Sequence, residues 1–218
     1  MTRHVIGICG LIGHGKDTAA GFLIEEGFSQ ISFGEVVKDV LVVIFGWDRE
    51  MLEGTTPESR AWRNEVDEWW AARLGIAHFT PRWALQNIGT NVMRNHFHED
   101  IWVAAVEKRI EQMPGNIVIS DCRFFNELDL IKRLDGVTVS VWRHERPEWW
   151  DIAVSTNTTP KDSEWLIYDE GNHMEVAYPD IHVSEWAWAD KDETFGSILY
   201  NDSSIEALYS QVLKTLST

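Results

Sequence analysis

Near its start the chain reads His4-Val-Ile-Gly-Ile-Cys9-Gly10-Leu-Ile-Gly13-His-Gly15-Lys16-Asp17-Thr18. Residues 4–9 form an apolar run rich in β-branched side chains, which is typical of a strand buried on both faces. The glycine-rich turn leads into Ala19-Ala20-Gly21-Phe22-Leu23-Ile24, which predicts a helix. A strand that passes through a glycine turn directly into a helix is the first part of a parallel α/β unit.

The same alternation of strands and helices continues along the chain. Strands are predicted at Phe28–Phe33, Asn116–Asp121, Val137–Trp142 and Phe195–Tyr200, and helices at Glu35–Phe45, Glu58–Leu74, Arg82–Phe97, Asp100–Met113, Phe125–Leu134 and Ile205–Leu216. Strands alternating with helices form a mostly parallel sheet covered on both faces, so we predict an α/β fold with three layers. In such sheets a ligand binds at the carboxyl ends of the strands.

Length and charge limit the classes of function. The 218 residues suit one domain, in which we read 47–80 as a helical flap insertion and 148–191 as an acidic, loop-rich segment. The formal net charge of −16 argues against a nucleic-acid groove, because phosphate backbones are bound by clustered Lys and Arg. No apolar run approaches the ~20 residues that cross a bilayer, and no signal peptide is evident. We therefore expect a cytoplasmic protein without membrane contact.

The glycine turn has the spacing of a phosphate-binding loop, Gly10-x-x-x-x-Gly15-Lys16. Glycines let backbone N–H groups turn toward phosphate oxygens, and the following helix N-terminus favours negative charge. Lys16 would neutralise the β- and γ-phosphates. Asp17 stands where Ser or Thr usually binds magnesium, and the hydroxyl comes one residue later at Thr18. A carboxylate is a hard-cation ligand, so Asp17 is a candidate for the metal and Thr18 for phosphate.

The ends of two later strands add candidates for the same site. Asp121 follows an apolar strand and is placed to hold magnesium through water, and Arg123 can reach phosphoryl oxygens. Arg143 follows the next central strand and is a candidate contact of a donor nucleotide. His14, within the glycine turn, is predicted to be exposed and incidental.

The predicted helix over 82–97 carries a polar stripe. Its apolar side is formed by Leu85, Ile88 and Val92, and its opposite side by Arg82, Gln86, Thr90 and Arg94. Two arginines and an amide suit a ligand that carries both a phosphate and a hydrogen-bonding base. Lys38 is a further candidate phosphate contact, and Trp102 is a candidate for stacking on a base.

Taken together, these segments resemble the deoxynucleoside monophosphate kinases of tailed bacteriophages. The matching segments follow the family's order across most of the chain: Gly10 to Thr18 with its Lys-Asp-Thr ending, Leu85-Gln86-x-x-Gly89-Thr90, Trp102-Val103, Asp121-x-Arg123, Val137–Arg143, His182-Val-Ser184-Glu185 and Asn201-Asp202. The Lys-Asp-Thr ending combined with Leu-Gln-x-x-Gly-Thr is the most specific part. The segments 47–78 and 148–180 show no traceable resemblance.

The resemblance implies a P-loop kinase fold with a five-stranded, mostly parallel sheet, ATP and Mg2+ as the donor system, and a deoxynucleoside 5′-monophosphate as acceptor. The roles that the resemblance implies are the donor phosphates and metal for Lys16, Asp17 and Thr18, the acceptor for Arg82, Gln86 and Thr90, and the transferring phosphoryl group for Arg123. A phage-encoded enzyme would act in the host cytoplasm, and a homodimer is one expectation.

Two other functions fit the same residues. One is another small-molecule P-loop kinase, of the dephospho-coenzyme A or phosphomevalonate type. The other is a regulatory module that binds ATP and transfers nothing.

Overall fold

The computed structural model describes residues 3–158, 173–189 and 195–217. The predicted acidic segment 148–191 therefore lies partly outside the described residues, at 159–172 and 190–191. The chain divides into two compact units. We call Met1–Ser32 with Ile110–Thr218 the sheet unit, and Phe33–Arg109 the helical unit.

The sheet unit is built on five parallel strands in the order β2-β3-β1-β4-β5. The strands are β1 (Val5–Cys9), β2 (Ser29–Ile31), β3 (Ile117–Ile119), β4 (Val137–Trp142) and β5 (Ser197–Tyr200). The helices of this unit are α1 (Lys16–Glu25), α8 (Phe125–Arg133), α9 (Trp150–Thr158), α10 (Met174–Ala177) and α11 (Ile205–Lys214). The prediction of an α/β fold with a five-stranded parallel sheet is confirmed.

Side-chain alternation along β1 assigns the two faces of the sheet. Ile6 and Ile8 pack with α1 and α11 in one buried cluster, which also includes residues of β3, β4 and β5. Gly7 points to the other face, where a Cβ would lie 2.6 Å from Ile131 Cγ1 of α8. Successive residues of a strand face opposite sides, so helices cover both faces of the sheet.

The helical unit is a set of short helices around an aromatic core. Its helices are α2 (Phe33–Phe45), α3 (Arg49–Glu53), α4 (Pro57–Trp62), α5 (Glu68–Leu74), α6 (Pro81–Gln86), a π-helix (Asn87–Phe97) and the first part of α7 (Ile101–Gln112). Trp47, Trp102 and Phe79 are buried in its core. The rings of Phe45 and Trp47 stack with their centroids 4.5 Å apart.

The prediction of a single helix over Glu58–Leu74 is wrong. The chain forms α4 and α5 with a break between them. Asp67 causes the restart, because its side chain accepts the backbone N–H of Trp70 at 3.1 Å and so caps the N-terminus of α5.

The segment predicted as one helix over 82–97 changes its winding at Asn87. It begins as α6 and continues to Phe97 as a π-helix, in which hydrogen bonds span five residues. Each residue of this wider helix turns through a smaller angle than in an α-helix. Val92, expected on the apolar side with Leu85 and Ile88, is 44% exposed for that reason, whereas Thr90 and Arg94 are buried.

The described part of the acidic segment is more ordered than its sequence pattern predicts. It contains α9, α10 and a 3-10 turn, Val183–Glu185. Trp142 of β4, Trp150 of α9 and Trp188 pack against one another with ring centroids 4.7 to 5.8 Å apart. Burial of these rings fixes the described part of the segment without the apolar periodicity on which sequence reading depends.

No helix in the described part of the chain combines the length and the hydropathy that crossing a bilayer requires.

Truncating Leu208 should test the core formed by α11. Leu208 is 1% exposed, whereas Ile205 on the same helix is 57% exposed. We expect Leu208→Ala to lower the free energy of unfolding by about 2–5 kcal/mol, because it leaves a cavity. Ile205→Ala should change it by less than about 0.5 kcal/mol. Urea unfolding followed by circular dichroism measures both, and equal losses would contradict the assignment of this face.

Candidate active site

The loop between β1 and α1 has the backbone of an anion cradle. Gly10, Gly13 and Gly15 adopt φ angles of +150°, +82° and +101°, which L side chains rarely adopt. A Cβ at Gly10 would lie 2.7 Å from the carbonyl oxygen of Val141, so the loop also passes close to β4. Gly15 provides no side-chain cap for α1, which leaves the first N–H groups of that helix for an anion.

Lys16 is the first residue of α1 and lies in this loop. Its Nζ donates to the carbonyl oxygen of Leu11 at 2.9 Å, so the side chain folds back across the loop. Burial lowers the pKa of Lys16, and the positive charge of Arg123 lowers it further. Asp17 and Glu185 oppose this shift. The ammonium therefore lies close to a second cation, as a site for a highly charged anion requires.

Polar contacts with residues that follow β4 and β5 hold the loop in place. Asn201, after β5, donates through Nδ2 to the carbonyl oxygen of His14 at 3.0 Å. His14 Nδ1 accepts the backbone N–H of Arg143 at 3.2 Å, and the His14 ring meets Trp142 edge-on. Burial lowers the pKa of His14, with Lys16 adding to the effect, so the ring is neutral near pH 7. The prediction that His14 is exposed is wrong, because its ring is turned inward as a support.

Arg123 follows β3 and is held by carboxylates on two sides. Its Nη1 donates to Glu185 Oε1 at 2.6 Å and to the carbonyl oxygen of Ser184 at 3.4 Å. Its backbone N–H donates to Glu127 Oε2 at 2.6 Å. Burial acts to lower the pKa of Arg123, but Glu185, Asp121 and Glu127 together outweigh it, so the pKa is raised. The guanidinium is therefore a permanent cation beside Lys16.

The oxygen ligands expected for magnesium are located in the same unit. Asp17 and Thr18 are exposed on the first turn of α1, and Asp121 is half-buried beyond the end of β3. The charge of Asp121 acts on Arg123. No group of three or more His, Cys, Asp or Glu arranged for a metal occurs in the described residues. Magnesium fits nonetheless, because it is usually held by one or two carboxylates together with substrate phosphates and water.

The helical unit contains the other predicted site residues. Thr90 and Arg94 are buried in the π-helix, and Arg82 and Gln86 are half-buried on α6. Arg94 Nη1 donates to the carbonyl oxygen of Glu99 at 3.1 Å. Arg82 Nη1 donates to Asn64 Oδ1 at 3.4 Å. The polar stripe thus continues from one helix type into the other.

Two further predicted ligand contacts have partners within the helical unit. Lys38 forms an ion pair with Glu53 at 2.5 Å. Trp102 is 3% exposed, and its indole N–H donates to the carbonyl oxygen of Gly89 at 2.6 Å. These contacts give both side chains a structural role, and their roles toward a ligand stay predictions.

Sequence reasoning gave no role to Glu185, Asn201 or His14, although all three contact the loop or its arginine. The only available signal was the presence of His182-Val-Ser184-Glu185 and Asn201-Asp202 among the segments that resemble a known family. Their function depends on contacts across more than 60 residues of sequence: 62 between Arg123 and Glu185, and 187 between His14 and Asn201.

Comparison with known proteins gives a relative of almost the same length. No known protein-family profile matches the chain. A protein of Acanthamoeba polyphaga mimivirus, named "Putative deoxynucleotide monophosphate kinase", is 26% identical over 224 residues, which cover 96% of this chain and 94% of the relative.

Solved structures of low sequence identity align over nearly the whole chain. TT1252 from Thermus thermophilus is 16% identical, with a TM-score of 0.45 and coverage of 100% of this chain and 97% of that chain. A dephospho-CoA kinase from Campylobacter jejuni is 13% identical (TM-score 0.43; 100% and 97% covered). A gluconokinase from Sinorhizobium meliloti is 12% identical (TM-score 0.43; 99% and 93% covered). At these TM-scores, the fold is assigned from the strand order and the loop geometry described above.

Substituting Gly15 and Gly27 should separate backbone strain from steric contact. Both have a left-handed φ, but a Cβ at Gly27 meets nothing within 4 Å, whereas at Gly15 it lies 2.3 Å from Asn201 Nδ2. We expect Gly27→Ala to lower the free energy of unfolding by about 1 kcal/mol. Gly15→Ala should cost about 1 kcal/mol more, because Asn201 must give up its bond to His14.

Urea unfolding of the two variants provides the measurement. The difference between them should disappear when both are made in an Asn201→Ala background. A difference that persists there would show that Asn201 is not the neighbour that excludes a side chain at Gly15.

Proposed function

We propose that this protein is an ATP-dependent kinase that transfers the γ-phosphoryl group to a deoxynucleoside 5′-monophosphate. The observation that carries the proposal is the glycine loop, in which Gly10, Gly13 and Gly15 have positive φ angles. The ammonium of Lys16 folds back over this loop to the carbonyl oxygen of Leu11 at 2.9 Å, and the charge of Arg123 acts on it. The name of the mimiviral relative supports both the reaction class and the acceptor.

The donor side of the proposal lies in the sheet unit. The N–H groups of the loop formed by Gly10, Gly13 and Gly15 would bind the phosphates of ATP, and Lys16 would neutralise their charge. Thr18, on the same turn, is our candidate for a contact with a phosphate oxygen. Arg143, exposed directly after β4, is our candidate for a contact with the nucleotide.

Asp17 and Asp121 are the residues that we assign to Mg2+. The ion, when bound with ATP, supplies positive charge for the phosphate oxygens. The two carboxylates, one on α1 and one beyond β3, would supply oxygen ligands, and substrate phosphates and water would supply the others.

The acceptor side of the proposal is assigned to the helical unit. Arg82 and Arg94 offer positive charge for the 5′-phosphate, and Gln86 and Thr90 offer hydrogen bonds for the base. Arginines suit this task because their planar donors match phosphate oxygens in pairs. We leave Lys38 out of the acceptor set because of its ion pair with Glu53.

The transfer needs no general base. An oxygen of the acceptor 5′-phosphate, already ionised near neutral pH, attacks the γ-phosphorus in line. The bond from that phosphorus to the bridging oxygen breaks, and the electron pair leaves with the β-phosphate of ADP. Charge on the equatorial oxygens is stabilised by Lys16 and Arg123, which are present before the reaction starts.

Two alternatives predict different outcomes in one experiment. ADP release is measured by a coupled assay over a panel of deoxynucleoside monophosphates, dephospho-coenzyme A and phosphomevalonate. Turnover with only one of the latter two would indicate another small-molecule kinase. Tight ATP binding without ADP release for any acceptor would indicate a regulatory module.

Removing the lysine charge should abolish most of the activity. We expect Lys16→Ala to lower kcat for phosphoryl transfer on the order of 10³-fold, because it removes a preorganised electrostatic stabiliser. Lys214→Ala, at the exposed end of α11, is the matched control and should keep full activity. Near-normal transfer by Lys16→Ala would refute the assignment of the loop.

The lowered pKa of Lys16 predicts a pH dependence. Since burial and Arg123 favour the neutral amine, kcat/KM for ATP should fall as pH rises, beginning below the ordinary lysine value of 10.5. Lys16→Arg should shift this decline to higher pH, because a guanidinium keeps its proton. Initial rates between pH 6 and about 10.5 test this, and an unchanged profile in Lys16→Arg would assign the decline to another group.

A further inference from the structure

Arg123 is held at one end of its guanidinium. Within the described residues, its side-chain hydrogen bonds run from Nη1, to Glu185 Oε1 at 2.6 Å and to the carbonyl oxygen of Ser184 at 3.4 Å. A guanidinium has donors on three nitrogens in a fixed plane. Holding Nη1 therefore sets the direction in which Nη2 and Nε present their N–H groups to a ligand.

The residue that holds Nη1 is itself fixed by the aromatic core of the sheet unit. Glu185 ends the 3-10 turn Val183–Glu185, and its carbonyl oxygen accepts the indole N–H of Trp188 at 3.0 Å. The Trp188 ring packs against Trp142 of β4 and Trp150 of α9. The position of the Glu185 backbone is thus tied to a central strand.

The Glu185 carboxylate faces both cations of the site. Its charge raises the pKa of Arg123 and opposes the lowering of the pKa of Lys16. The side chains of Arg123 and Glu185 are 33% and 21% exposed, so the pair is partly shielded from water. A partly buried pair gains little net stability, because desolvation offsets the attraction. The main effect of this ion pair is therefore to orient the Arg123 guanidinium, which a surface ion pair would not do.

We infer that Glu185 is a positioning residue that directs Arg123 toward the transferring phosphoryl group. The inference rests on the proposed function and extends it to a residue of the acidic segment. Glu185 touches neither reactant in this assignment and acts only through Arg123. Its removal should therefore matter only when Arg123 is present.

A double-mutant cycle tests this dependence. Glu185→Ala, Arg123→Ala and the double variant are compared with the wild type for kcat and KM, with ATP and the best acceptor of the panel. We expect Glu185→Ala alone to lower kcat on the order of 10-fold, as small misplacement of a catalytic group can. In the Arg123→Ala background the same substitution should change kcat less than about 2-fold.

Two further variants separate orientation from folding. Glu185→Gln keeps an oxygen acceptor for Nη1 without the charge, so its kcat should lie between those of the wild type and Glu185→Ala. Glu175→Ala, at an exposed position on α10 of the same segment, should leave kcat unchanged. Thermal unfolding of every variant reports whether the fold is retained. A kcat loss that only follows a loss of folded protein would overturn the inference.

The outcome also separates this inference from the proposed function. Equal effects of Glu185→Ala with and without Arg123, or no effect at all, would overturn the inference while transfer by the wild type still supported the kinase. If the wild type transfers nothing, the kinase proposal fails and the same cycle is measured by calorimetry as affinity for an ATP analogue with an imido β–γ bridge. Coupling there would still support Glu185 as the residue that directs Arg123 toward phosphate, and independent effects or no binding would overturn it.

Discussion

The electrostatic interaction between the Lys16 ammonium and the Arg123 guanidinium is the constraint on which the proposed site depends. Two like charges near each other, partly removed from water, repel and are poorly solvated, and both effects act to lower the pKa of Lys16. Such an arrangement persists only where anions compensate it, and Asp17 and Glu185 do so in part. The remaining positive charge is available to a ligand with several negative oxygens. This balance of charges favours an anion at the glycine loop, in keeping with the proposed function.

The parallel sheet makes this arrangement attainable from distant parts of the sequence. β1, β3 and β4 are neighbours in the order β3-β1-β4, so their carboxyl ends share one edge. The glycine loop, Arg123 and Arg143 each follow one of these ends. The loop must also pass close to β4. Gly10 allows this, because a Cβ at that position would lie 2.7 Å from the carbonyl oxygen of Val141. Fold and site thus depend on the same few backbone positions.

The features that sequence could predict are those with local causes. Consecutive residues around Lys16 predict the strand, the glycine turn and the helix. The alternation of strands and helices along the chain then predicts the parallel sheet. The exposure of Val92 could not be predicted, because the helix changes from α to π winding at Asn87. The spacing of the apolar residues does not indicate that change. The inward position of His14 depends on its hydrogen bond with the backbone N–H of Arg143. These two residues are 129 positions apart, and the local sequence pattern around His14 does not indicate such a contact.

The acidic segment shows most clearly how composition can mislead. From Glu145 to the end of the chain there are 15 acidic and 4 basic residues, a pattern that usually indicates a solvated face. Trp150 and Trp188 nonetheless fix part of this segment to β4. Screening at physiological ionic strength limits the reach of exposed charges to about 8 Å. Glu185 differs because the aromatic core brings it within hydrogen-bond distance of Arg123, where its charge acts on the site directly.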